Sequence, residues 1–162
     1  MEKALFINGV FASVLQEIIE ALKQEPELTC YLQPYSNRII KELEKSPPYP
    51  ESPMRLYIST TEQLDKIVYQ ADIVGWEDKR FISPDRREDI DEHIKKYQPK
   101  EGGLYYTING KECCVNLILI KYLKKLQEVL AVENLIKVSD KLPMKKRSRA
   151  GGWSYVYELK DI

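Results

Sequence analysis

The residues best equipped for chemistry in this 162-residue chain are aromatic and basic. Eleven Tyr, three Phe and two Trp are present, and an excess of Tyr is pocket and surface chemistry as much as core. Trp153, Tyr155 and Tyr157 alternate, so on a strand they share one face. Just upstream, Lys141, Lys145, Lys146, Arg147 and Arg149 place five positive charges in nine residues. A stacking surface beside a cationic stretch is what an unstacked or flipped base requires. In that reading Lys145, Lys146, Arg147 and Arg149 hold phosphates. Trp76 or Trp153, with Tyr35 and Tyr155, supplies the stacking surface. Gln33, Ser36 and Asn116 offer hydrogen bonds to a base edge. The competing reading packs the rings in a core and leaves 141–149 as a solvated loop.

Other chemistries are poorly served. His93 is the single histidine and sits among charges, with Asp89 four residues before it and Lys96 three after. A solvated helix position is expected, not a catalytic base. Cys113 and Cys114 are adjacent, without the spacing of a metal site, so no metal is expected. No Walker loop or dinucleotide glycine motif occurs, and no cofactor is expected. Glu77, Asp78 and Lys79 follow Trp76 and form the one acid–base group worth weighing, for a small hydrolase of modified nucleosides. The sequence favours a non-catalytic binder. A protein-interaction module, docking through the helix near 10–24, is the other alternative, so a protein partner stays open.

Net charge is zero, but residues 1–100 carry −4 and residues 101–162 carry +4. Three Cys, with no secretory pattern and no apolar run of membrane length, lead us to expect reduced thiols, a cytoplasmic protein and no membrane partner.

These residues must be positioned by a single α+β domain spanning 1–162. Apolar residues at 10, 11, 14, 15, 18, 19 and 22 predict an amphipathic helix at about 10–24. Asn8-Gly9 is read as a turn ending a first strand at 4–7. Strands are expected at 28–32, 55–59, 67–76 and 152–159. Gly75 is expected to mark a bulge or close approach. Ser36 or Asn37 caps a second helix to about Glu44, and Ser83-Pro84 starts a polar, inserted helix at about 83–97. Asn109-Gly110 predicts a hairpin between strands at 104–108 and 114–120, with 121–130 left between strand and helical turn. Short strands separated by turns favour a mostly antiparallel, curved sheet over a doubly wound fold.

The segments Leu32–Ile40, Arg55–Ser59 and Tyr69–Trp76 resemble the PUA-like superfamily, in its ASCH and EVE branches. There a first strand ends in Pro and enters a helix, a later strand carries an L-Y-I-S-type segment, and the next reads like A-x-I-V-G. Residues 28–78 carry the resemblance by motif and 102–160 by strand pattern. It implies a small curved β-barrel with about three helices, binding RNA or a modified DNA base in a concave pocket. The G-x-K-x-x-E-x-R run usual in ASCH domains is absent. Glu42–Pro50 stands in its place. The Lys and Thr that some ASCH amidohydrolases use on acetylated cytidine therefore have no counterpart here.

Overall fold

The computed structural model describes residues 2–34, 36–101, 104–146 and 150–160. In chain order these form β1 (Lys3–Val10), α1 (Ala12–Gln24), β2 (Cys30–Leu32), α2 (Asn37–Lys45), β3 (Met54–Thr60) and β4 (Lys66–Glu77). There follow α3 (Pro84–Tyr97), β5 (Tyr105–Ile108), β6 (Lys111–Cys114), β7 (Leu117–Ala131) and β8 (Trp153–Tyr157). Six strands join in the order β2-β7-β4-β3-β1-β8, and β5-β6 is a separate hairpin. Every pairing in the large sheet is antiparallel except β1 with β3. The class is α+β.

The apolar periodicity explains the layers. Val14, Leu15 and Ile18 of α1, with Ile39 and Leu43 of α2, pack on the face carrying Leu5, Ile7, Leu56, Ile58, Tyr69, Ile73, Ile118 and Ile120. The opposite face is covered at one end by Val132, Leu135 and Met144 against Phe6, Tyr57 and Val156. At the other end Ile82, Ile90 and Ile94 pack against Tyr31, Leu104 and Leu117. Ser36 caps α2, its hydroxyl accepting from the Arg38 amide at 3.2 Å. Ser83 does the same for α3 from Arg86 at 3.3 Å, with Pro84 in the first turn.

The sheet is strongly curved, but it is not the closed barrel that the sequence led us to expect. Ile7 and Val10 of β1 share one cleft with Leu32 and Gln33 beside β2. Yet β7, β4 and β3 lie between those strands. In a flat sheet four steps of strand spacing would separate them by roughly 19 Å, so the sheet rolls. Closure fails because both edges are already occupied. The Gln98 side chain acts as a strand surrogate on β2: its Oε1 accepts from the Tyr31 amide at 2.9 Å, and its Nε2 donates to the Tyr31 carbonyl at 2.6 Å. On β8, the Val138 amide donates to the Tyr155 carbonyl (3.1 Å) and the Tyr157 amide to the Ile136 carbonyl (3.0 Å). Covering edges in this way also removes templates for pairing with another chain.

Three local expectations are corrected. Asn8-Gly9 does not turn the chain. β1 runs on to Val10, and the extra residue is absorbed as a bulge between Ile7 and Val10, with Gly9 at φ +85°. The strand expected at 114–120 divides, because Asn116 directs its side chain to Asn37 and to the Lys79 amide at the end of β4. β6 ends before it, and β7 starts after it and runs as strand throughout 121–130. His93 is not solvated. It is half-buried between Tyr31 (centroids 5.1 Å) and Tyr97 (4.9 Å), and burial pushes its pKa down. Gly75 marks a bulge, one of its two expected roles, and not a close approach, since an added Cβ would stand in ordinary contact 3.5 Å from Leu119.

Candidate functional site

The rolled sheet leaves a seam between β1 and β2, and a cleft of about 230 Å³ opens there. Its walls are Ile7 and Val10 from β1, Phe11 and Val14 from the start of α1, Leu32 and Gln33 from the end of β2, and Lys100. Five of these seven are apolar. Gln33 and Lys100 supply the polar groups. Phe11 is 59% exposed at the mouth. The Lys100 amide donates to Glu17 Oε1 at 2.8 Å, which ties the segment after α3 to α1.

Gly9 explains why the chain leaving the basic stretch arrives at this rim. A Cβ on Gly9 would lie 2.4 Å from Ala150 Cβ and 2.6 Å from its Cα. Only glycine admits that approach. The contact is held by backbone bonds from Asn8 to the Gly152 carbonyl and from Gly151 to the Asn8 carbonyl, each 2.9 Å. Beneath them Ser59 Oγ accepts from the Gly9 amide (3.0 Å) and donates to Asn8 Oδ1 (2.9 Å). Asn8 and Ser59 are fully buried. They had no functional reading in the sequence.

The expected site residues distribute around this cleft unevenly. Trp153 pairs with Ile7 and so stands one strand beyond the cleft wall. It meets Tyr155 edge-on, with centroids 5.9 Å apart, and both pack against the core on the same face. Tyr155 carries Lys3 over its ring at 4.2 Å, and burial pushes its phenol up to about 12, so it stays a neutral hydroxyl. Trp76 pairs with Ile118, which pairs with Leu32, so it lies two strands beyond the opposite wall. Its ring neighbour is Tyr49, at 6.3 Å. The expected pocket walls of Trp and Tyr are therefore replaced by aliphatic side chains and Phe11, with the indoles in flanking positions.

Ser36 is engaged as the α2 cap. Asn116 is 8% exposed, with its Oδ1 accepting from the Lys79 amide (2.8 Å) and its Nδ2 donating to Asn37 (2.7 Å). It braces the turn after β4 against α2. Lys145 and Lys146 are exposed directly after buried Met144, and Lys146 lies 3.6 Å from Asp65. Tyr35, Arg147 and Arg149 lie outside the described residues.

The weighed acid–base group is otherwise committed. Asp78 takes Arg80 in a fork, at 3.1 and 2.7 Å, and that hydrogen bonding holds its carboxyl below the usual range. Glu77 accepts from Arg86 Nε at 3.0 Å. A general acid at neutral pH needs the opposite environment, one that raises a carboxyl pKa. Among the described residues no cluster of His, Cys, Asp and Glu could hold a metal ion, and no helix is long and apolar enough to cross a membrane. Phe11 and Lys100 were missed in the sequence. An aromatic two residues after the Asn8-Gly9 pair was the available signal for the first, and nothing local marked the second. The chain matches no family model, no curated protein and no solved structure.

Proposed function

We propose that the protein is a nucleic-acid-binding reader with a PUA-like architecture, which takes an unstacked RNA base or a modified DNA base at the seam between β1 and β2. One observation carries the reading: a largely apolar cleft of about 230 Å³ places Gln33 within its walls, where the chain leaving the basic stretch is pinned to its rim. An apolar slot with few polar groups suits a base, which brings two flat faces and one hydrogen-bonding edge. Gln33 reads the edge, Phe11 contributes ring surface with Trp153 flanking it one strand away, and Lys145, Lys146 and Lys100 supply cationic charge for phosphates. Arg147 and Arg149 extend that charge in the sequence. The hydrolase alternative is disfavoured by the arginine pairing of Glu77 and Asp78. The interaction-module alternative loses its docking stripe, since Val14, Leu15 and Ile18 are buried in the protein's own core.

The test is fluorescence titration at low salt with single-stranded, double-stranded and base-modified oligonucleotides. Lys145→Ala with Lys146→Ala should lower the salt slope by up to about 1.4 on a single strand, at roughly 0.7 per phosphate. Phe11→Ala should weaken binding about 5- to 150-fold, the equivalent of about 1–3 kcal/mol for one stacked base, with the slope unchanged. Absence of binding above background for every oligonucleotide overturns the proposal.

A further inference from the structure

On the opposite side of the sheet from α1, a second groove of about 210 Å³ is lined by Arg55, Gln70, Ala71, Asp72, Tyr122 and Lys124. It forms where the β4–β7 ladder opens. Asp72 pairs with Lys121 and Gln70 with Lys124, so Tyr122 and Leu123 together face Ala71. Tyr122 sits there at φ +57°. For a bulky side chain that is an unfavourable backbone conformation, of the kind that persists where the surroundings enforce it. Its hydroxyl donates to Glu27 Oε2, and its ring is 47% exposed at the groove.

Among the described residues, two buried polar atoms of this groove have no hydrogen-bond partner. Gln70 is 3% exposed and its Oε1 accepts from nothing. Arg55 Nε lies 3.2 Å from Asp72 Oδ1 but forms no aligned hydrogen bond. The Arg55 Nε charge is met by Asp72, so the unmet group is Gln70 Oε1, and a buried orphan acceptor is costly. The terminal torsion of a Gln side chain is soft, so a modest rotation turns Oε1 toward the opening. The charges are balanced in sign, with Arg55 and Lys124 against Asp72 and, 4.0 Å from Arg55, Glu158.

We propose that this groove is a second ligand site, for a neutral planar nitrogen heterocycle with an N–H donor beside an acceptor, that is, a nucleobase presented as a nucleoside. The N–H meets Gln70 Oε1, the neighbouring acceptor meets the partly exposed Arg55 guanidinium, and one flat face lies on Tyr122. An anion is opposed by Asp72 and Glu158, and a cation by Arg55 and Lys124. The proposal does not depend on the seam cleft, which lies on the other face and involves none of these residues.

The experiment is an NMR titration of the whole chain with uridine, adenosine and 3-methyluridine, in which the methyl removes the N–H. Uridine and adenosine should shift the amide resonances of 70–72 and 121–124, and 3-methyluridine should bind at least about tenfold more weakly, because the methyl leaves Gln70 unpaired. Gln70→Leu should reduce affinity by a similar factor. Tyr122→Gly removes the ring and relieves the positive φ, so it keeps the fold while weakening binding about 5- to 150-fold. The proposal is overturned if no resonance in these stretches moves at about 1 mM nucleoside. It is equally overturned if 3-methyluridine binds as well as uridine, if Tyr122→Gly binds as well as the parent chain, or if the shifts fall instead on 7–14 and 32–33.

Discussion

Replacing Gly9 by Ala tests whether the seam is built as described. The native φ of +85° lies in the left-handed region, which costs an L-residue about 1–2 kcal/mol. The new methyl would also stand 2.4 Å from Ala150 Cβ and 2.6 Å from its Cα. Overpacking of that kind adds about 1–3 kcal/mol, because the neighbour is partly backbone and cannot swing away. Against this, Ala reduces unfolded-chain entropy by about 0.4–1 kcal/mol. The net expectation is a loss of about 2–4 kcal/mol, read from urea unfolding with an unchanged m-value. Ala150→Gly in the same chain removes the 2.4 Å contact but leaves the 2.6 Å contact and the dihedral cost. The double variant should therefore recover about 1 kcal/mol, and with it part of any lost oligonucleotide affinity. A cost below about 1 kcal/mol for Gly9→Ala would refute the close approach. So would additivity of the two changes within about 0.5 kcal/mol.

Gln98→Leu should cost about 2–4 kcal/mol in urea unfolding, since it orphans both the amide and the carbonyl of buried Tyr31. It should also raise the dimer fraction in sedimentation by baring the β2 edge. His93 has its pKa lowered, chiefly by burial, from the ordinary 6.5. The unfolded chain therefore binds the proton first on acidification. Stability should be level above about pH 6.5 and fall below it, and His93→Phe should remove that slope in urea midpoints measured between pH 7.5 and 5.

Helix positions were legible because their signals are local. The spacing of Val14, Leu15 and Ile18 gave α1, and the hydroxyls of Ser36 and Ser83 gave two helix starts. The strand alternation of 153–157 correctly grouped Trp153 with Tyr155. What failed was long-range. Asn8-Gly9 has the composition of a turn, yet its conformation is fixed by Ala150, more than a hundred residues away in the chain. Asn116 looked like a free base-reading amide, but Asn37 and Lys79 use both ends of it. Lys100 entered the cleft wall only because the segment after α3 is tied to Glu17. Nor did local pattern reveal that Gln98 would replace a strand.

That replacement links the open sheet to the candidate site. Had β2 continued the ladder, its edge would have met β8, the opposite edge strand, and closed the space between them. Instead β2 is three residues long, its outer edge is taken by a side chain, and β8 is covered by 136–138. The chain must still travel from the top of β1 to β2 across the gap. α1 makes that crossing: its 13 residues span roughly 20 Å, close to the four strand spacings between the two strands. Its first turn places Phe11 and Val14 over the seam while Val14, Leu15 and Ile18 anchor it to the core. The cleft is thus the volume left between an edge that cannot pair and the helix that bridges it. A larger side chain at Val14 should fill the cleft and lower any affinity seen in the oligonucleotide titration, at about 1–3 kcal/mol for overpacking a buried position, while the edges stay covered.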